Sequence, residues 1–208
     1  MYSRENPSVR YTELIELYRQ THELGQLEFG NKPENTFAGD IRIQHASRIS
    51  FLAKVCDAKR LLDYGAGKGR QYNLDQTEID LRDVYGVSEI ICYDPGHQPH
   101  SILPDGSFDG VICLDVMEHC PEEDLTWIID EIIGYAEKFA YFTVACFEAQ
   151  KQLPNGENAH CTVRPPAWWK AVFEDVAARN TNVMIEAILQ EKDFERMLIT
   201  EQILDLNQ

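Results

Sequence analysis

LLDYGAGKGRQY, residues 61–72, decides how the rest of the chain is read. A short apolar run ends on Asp63, and three glycines follow at once: Gly65, Gly67 and Gly69. Glycine lets backbone come close to a ligand, and a glycine turn after a strand is where nucleotide-like molecules dock. The dinucleotide fingerprint GxGxxG needs its last glycine at position 70, which here is Arg70. The phosphate-cradling GxxxxGK[ST] pattern is also absent. Asp63 sets a carboxylate at the end of the strand, which suits a ligand carrying positive charge better than a pyrophosphate.

Outward from this turn, the pattern alternates strands with helices. RLLDY (60–64) and EIICYD (89–94) read as strands, with a helix expected between them, from the glycine turn through Val84. FDGVICLD (108–115) is a third strand. A helix opened by Pro121 should follow, its stripe running from Leu125 through Ile128, Ile129, Ile132 and Ile133 to Ala136. FAYFTVACF (139–147) reads as a central parallel strand, PPAWWKAVFEDVAAR (165–179) as a helix, and VMIEAILQ and ERMLITEQI as a closing hairpin around EKDF (191–194). Upstream, Tyr11, Leu14, Ile15, Tyr18 and Leu24 keep helical spacing up to Gly25, and Asp40 is expected to cap a second helix through about Cys56.

The 208 residues fit a single domain, with residues 1–58 as a helical cap and 59–208 as the core that binds the ligand. Alternating strands and helices with a terminal hairpin predict an α/β three-layer sandwich, mostly parallel, with an N-terminal helical lid. A net charge of −16, from 19 Lys plus Arg against 35 Asp plus Glu, repels phosphate backbones, so nucleic acid is a poor partner. With no apolar run long enough for a bilayer, six scattered cysteines and an N-terminus lacking an apolar signal core, the expectation is a cytoplasmic protein without membrane insertion.

At the end of the second strand, Asp94 is placed to take hydrogen bonds from ribose hydroxyls. The glycine turn, Asp63 and Asp94 together favour a nucleoside without a pyrophosphate. This combination resembles the class I S-adenosylmethionine-dependent methyltransferases over roughly residues 60–200: LLDYGAGKGRQY looks like their first motif, IICYDPG their second, and LPDGSFDGVICLDVMEH the segment through the fourth strand of that fold. The resemblance implies a Rossmann-like sheet with S-adenosyl-L-methionine as cofactor. It also implies cofactor contacts from Asp63, Gly65, Ala66, Gly67, Asp94, Pro95, Leu114 and Asp115. One departure stands out. Only about fourteen residues separate Asp94 from Phe108, so the family's usual third strand and its adenine contact are missing; the loop from Pro95 to Pro104 is the candidate replacement.

LDVMEHC offers Asp115, Glu118 and His119 at the carboxyl end of a central strand, and NGENAHC adds His160 from the next loop. Two carboxylates and two imidazoles make a candidate site for Mg2+ or another divalent metal. The arrangement resembles quinone-biosynthesis O-methyltransferases and small-RNA 3′-terminal 2′-O-methyltransferases, both of which usually have Glu where this chain has Asp115. Two metal-free readings stand beside it. His119, His160 or Glu118 acts as a base or orients the acceptor, or the group only shapes the pocket. His97 and His100 are expected at a surface or pocket rim, and His22 and His45 as satisfied, partly buried side chains. At most one of Trp168 and Trp169 should face the pocket, Arg164 and Lys68 are the nearest bases for an acceptor carboxylate, and Tyr11, Tyr18 and Phe37 are lid candidates for which core packing is favoured. The leading expectation is methyl transfer to a small-molecule acceptor, at oxygen. The alternatives are methylation of a glycan or RNA terminus, and a non-catalytic module that binds S-adenosylmethionine.

Overall fold

Leu61 and Leu62 point to opposite faces of one strand, and each face has its own helical layer. The computed structural model describes residues 2–25, 32–37, 41–72, 79–193 and 198–207. Its strands β1 (Arg60–Tyr64), β2 (Glu89–Tyr93), β3 (Phe108–Leu114), β4 (Ala136–Ala145), β5 (Met184–Asp193) and β6 (Leu198–Leu206) form one sheet in the order β2-β1-β3-β4-β5-β6. All neighbours are parallel except β5 and β6, which pair antiparallel. The chain is therefore an α/β protein with a six-stranded, mostly parallel sheet and a terminal antiparallel pair.

Leu62, Val111, Phe142 and Ile185 pack on one face beneath α5 (Leu125–Tyr135) and α6 (Pro166–Arg179). Leu61, Ile112, Leu114 and Tyr141 pack on the other, beneath α3 (Ala46–Val55) and α4 (Leu81–Tyr85). The central strands are buried on both sides, which is why they read as continuous apolar runs instead of alternating ones. Helix α1 (Val9–Leu24) is capped by Ser8, whose side chain accepts the Tyr11 N–H, and it ends at Gly25. Before it, Arg4 ties the N-terminal segment to α5 through Glu131 and to β1 through the Tyr64 hydroxyl.

Five expectations change. The helix after the glycine turn is a 3-10 turn at Arg70–Tyr72 followed later by the five residues of α4, capped by Asp80; residues 73–78 lie outside those described. Ala136 opens β4 instead of closing α5. Its apolar side chain fits the helical stripe, but Gly134 weakens the helix end and the backbone at Ala136 is already extended (φ −87°, ψ 124°). The α5 helix is preceded by a 3-10 turn at Glu122–Asp124, so Pro121 stands one turn ahead of it. Strand β5 runs on through Glu191–Asp193, residues expected in the break. The Asp40 cap lies outside the described residues; the helix it was to open is split into α2 (Ile41–Gln44) and α3.

Between Tyr93 and Phe108 there is only a 3-10 turn at Gln98–His100, which leaves β2 as the sheet edge. From β1 the chain goes to β2 on one side, then crosses back to β3 on the other. The carboxyl ends of β1 and β3 thus flank a topological switch point, where open α/β sheets hold their ligands.

Candidate functional site: a pocket beside a carboxylate and two histidines

Gly65 and Gly67 adopt left-handed backbone, with φ of 80° and 57°. A Cβ at Gly65 would stand 2.3 Å from Val116 Cγ2, and one at Gly67 would stand 2.4 Å from the Phe37 carbonyl oxygen. Both positions thus need glycine for conformation and for room. The turn's N–H groups are already engaged within the protein. Gly65 and Ala66 donate to the Tyr93 carbonyl, Gly67 to Asp94 Oδ2 at 2.8 Å, Lys68 to the Phe37 carbonyl and Gly69 to Ala66. An anion cradle needs such groups directed at the ligand. This turn instead braces the end of β2 and the segment carrying Phe37.

The Asp94 carboxylate is fixed by two N–H donors, Gly67 and Gly96, each at 2.8 Å. It faces a pocket of about 110 Å³ lined by Gly65, Asp94, Pro95 and Gly96 on one side and by Asp115, Val116, His119 and Cys120 on the other. Helix α1 covers it with Tyr11, Tyr18 and His22, and Phe37 joins them. The cover is close: a Cβ on Gly96 would lie 2.9 Å from Tyr18 Cβ. Asp63 is fully buried behind the turn and accepts the Tyr72 hydroxyl at 2.9 Å. Ala66 is buried within the turn, and Leu114 belongs to the core on the α3 face.

Beyond β3 the chain makes a 3-10 turn at Met117–His119, and this turn delivers the reactive groups. Glu118 is fully buried, with Oε1 accepting the Ala145 N–H at 2.9 Å. Its Oε2 has no hydrogen-bond partner among the described residues. Burial, reinforced by the charge of Asp115, holds the Glu118 carboxyl well above the usual range. His160 comes from a loop braced by Asn158, whose side chain bonds Ala149 twice and also accepts the His160 N–H. Thr162 stitches that loop to the 3-10 turn, its N–H on the Glu118 carbonyl and its hydroxyl on the Cys120 carbonyl.

Glu118, His119 and His160 each present one donor atom, and the three lie within 4.8 Å of one another. The tautomers follow from the backbone. His119 Nδ1 sits 2.9 Å from the Ala159 carbonyl, and His160 Nδ1 sits 2.6 Å from the Phe147 carbonyl. A carbonyl only accepts, so both Nδ1 atoms carry hydrogen and both Nε2 atoms keep a lone pair. Burial lowers both imidazole pKa values, that of His119 to about 3, and keeps the rings neutral. Two imidazole nitrogens and the Glu118 carboxyl thus stand close enough either to share the proton that Glu118 retains or to hold a cation in its place. Backbone carbonyls behind ligating imidazoles are the usual outer support of a metal site.

Asp115 lies on the pocket wall outside this trio. Its backbone is left-handed (φ 53°), and its Oδ1 accepts the Thr143 hydroxyl at 2.6 Å. Aspartate tolerates that conformation better than glutamate does, which gives a local reason for the shorter side chain. Neither tryptophan lines the pocket: Trp169 is buried in the core, while Trp168 flanks a separate groove and Arg164, paired with Glu122, stands over its ring. Lys68 donates to His22, and His22 stacks on His97, which meets His100 edge-on. This group rims the glycine turn, with His100 Nδ1 on the Gly67 carbonyl.

Sequence reasoning named Tyr18 and Phe37 as lid candidates but favoured packing for them, and read His22 as a satisfied, partly buried side chain. It missed Lys151, whose ammonium lies 4.6 Å from the Phe37 ring centroid. No local pattern marks them, because the contacts come from folding α1 over the sheet edge. No family model matches the chain, and no curated protein matches it.

Proposed function

We propose that the chain transfers a methyl group from S-adenosylmethionine to an oxygen of a small molecule, with a divalent metal held by Glu118, His119 and His160. The observation that carries this reading is the position of that trio, one 3-10 turn from the pocket that also contains Gly65 and Asp94. Support for the nucleoside comes from the glycine turn, whose N–H groups are engaged by the protein and not directed at a phosphate, and from an Asp94 carboxylate held rigidly at the pocket wall. The Rossmann-like character of the sheet and its switch point agree with this.

The donor set suits the metal. Two neutral imidazoles and one carboxylate favour a borderline divalent ion over Mg2+, which prefers an all-oxygen octahedron. When bound, such an ion lowers the pKa of an acceptor hydroxyl, and the sulfonium supplies the methyl group. The chain's own residues do the rest. Asp94 orients the ribose, Phe37 and Tyr18 line the pocket, and the Phe147 and Ala159 carbonyls hold both imidazoles through Nδ1. Displacement at a methyl group depends mainly on alignment, which groups fixed around the pocket supply.

Incubation with S-adenosylmethionine labelled in its methyl group, together with fractionated small-molecule extract, tests the reading. The expected result is label in one fraction, lost with a chelator and with Glu118→Ala. Label appearing in RNA or glycan fractions, or in none, contradicts it.

A further inference from the structure

The sheet ends on a strand whose outer edge pairs with no other described strand. β6 pairs with β5 on one side and is the last strand of the sheet on the other. Its sequence, LITEQILDL, contains no proline, glycine, lysine or arginine, and its register with β5 runs unbroken from Leu198 to Leu206. Leu198, Ile199 and Ile203 are about half exposed, at 51%, 49% and 55%. Soluble proteins blunt exposed edges with bulges, proline or inward charge, because an open ladder recruits another strand. β6 has no bulge and no proline, and its only charges are Glu201 and Asp205 on the face towards α3, where Asp205 pairs with Arg48.

We infer that β6 pairs antiparallel with β6 of a second copy of this chain, across a two-fold axis at Gln202, to make one continuous sheet. The strand is self-complementary in that register alone. A two-fold axis between antiparallel strands passes through a pair of like residues, because hydrogen-bonded and non-bonded pairs alternate. With the axis at Glu201 or Asp205, a carboxylate faces its own copy. With the axis at Ile203, Glu201 faces Asp205. Like charges placed directly opposite destabilise a sheet.

With the axis at Thr200 or Leu204, only part of the strand overlaps. At Gln202 all nine residues pair, and no acid faces an acid. Leu198 then stands opposite Leu206 of the partner subunit, and Thr200 opposite Leu204 of the partner subunit. On the other face, Ile203 meets Ile199 and Ile203 of the partner subunit diagonally, within reach for branched side chains. The pairing satisfies the open ladder and brings Leu198, Ile199 and Ile203 against the partner strand, while Glu201 meets Glu201 and Asp205 of the partner subunit diagonally. Charge opposes it, since each chain carries −16, so association strengthens as salt screens the repulsion.

Sedimentation of the full chain over a range of micromolar concentrations, at low and moderate salt, tests this. The expected result is a dimer that tightens with salt and is weakened about tenfold or more by Ile203→Lys or Leu198→Lys. Both side chains are exposed, so the monomer fold is kept, and circular dichroism verifies it. Register is read by mild oxidation. Gln202→Cys yields a covalent dimer beyond the background of the six native cysteines, whereas Leu198→Cys, far from its own copy in this register, does not. A chain that stays monomeric throughout, a dimer indifferent to both lysine variants, or a dimer in which Gln202→Cys fails to cross-link overturns the inference.

Discussion

The hydroxyl of Tyr18 lies 2.9 Å from Nδ1 of His119 and donates to the Ala159 carbonyl at 2.5 Å, the same carbonyl that the His119 ring contacts. The helix covering the pocket is thereby bonded to one of the three groups that converge beside it. Tyr18→Phe keeps the ring and removes the hydroxyl. By the usual cost of losing outer support, metal affinity should fall roughly tenfold while the melting temperature changes little. Competition titration with a metal-sensitive dye measures it; an unchanged affinity would separate the helix from the site.

Glu118 holds the Ala145 N–H with Oε1 and offers Oε2 to the trio. Glu118→Gln keeps the acceptor for the Ala145 N–H but removes the group that can ionise to hold a cation. Metal binding should drop by about a hundredfold or more, which is about 2.7 kcal/mol. Affinity for S-adenosylhomocysteine should stay within a few-fold of the original. If both affinities fall together, the trio and the nucleoside pocket are not separable.

Two glycines with similar backbone distinguish strain from crowding. Gly86 has φ of 74° with nothing within 4 Å of an added Cβ, whereas Gly67 has φ of 57° with the Phe37 carbonyl at 2.4 Å. Gly86→Ala should cost about 1 kcal/mol, the left-handed penalty alone. Gly67→Ala should cost clearly more and weaken nucleoside binding, because the segment carrying Phe37 must move. Urea melts of the two variants give the comparison, and equal losses would contradict the role assigned to Phe37.

Acid should weaken the pocket's rim. Burial first, then the Lys68 charge, lowers the pKa of His22 to about 3 and that of His97 to about 4. With folded values depressed below 6.5, the unfolded chain takes up protons that the folded chain refuses, so stability present above about pH 6.5 is lost as pH falls towards 4. Carboxylates titrate too, at the lower end of that range. His22→Gln should therefore show a shallower fall in melting temperature between about pH 7 and pH 5 than the parent chain. Parallel curves would mean that His22 is not the source.

Much of the fold was legible because its signals are local. RLLDY, the three glycines, the apolar run at 108–114 and the proline opening α6 each specify their element within a few residues. Ala136 was not legible, since an apolar residue fits a helical stripe and a buried strand alike, and the choice is made by β4 pairing with β3. The candidate site divides the same way. Glu118 and His119 adjoin in sequence, and His160 was inferred from its place at the same sheet edge. The bond from Tyr18 to His119 spans 101 residues, and the Phe37 contact with Lys68 depends on how the leading segment folds back. Neither has a sequence signature.

Calorimetric titration with S-adenosylhomocysteine, run in parallel on Asp94→Ala, bears most directly on the methyl-donor reading. The account predicts saturable binding at one site per chain in the parent protein and its loss, by about a hundredfold or more, in the variant, whose carboxylate no longer meets the ribose. No heat at millimolar ligand, or equal binding by Asp94→Ala, would contradict it.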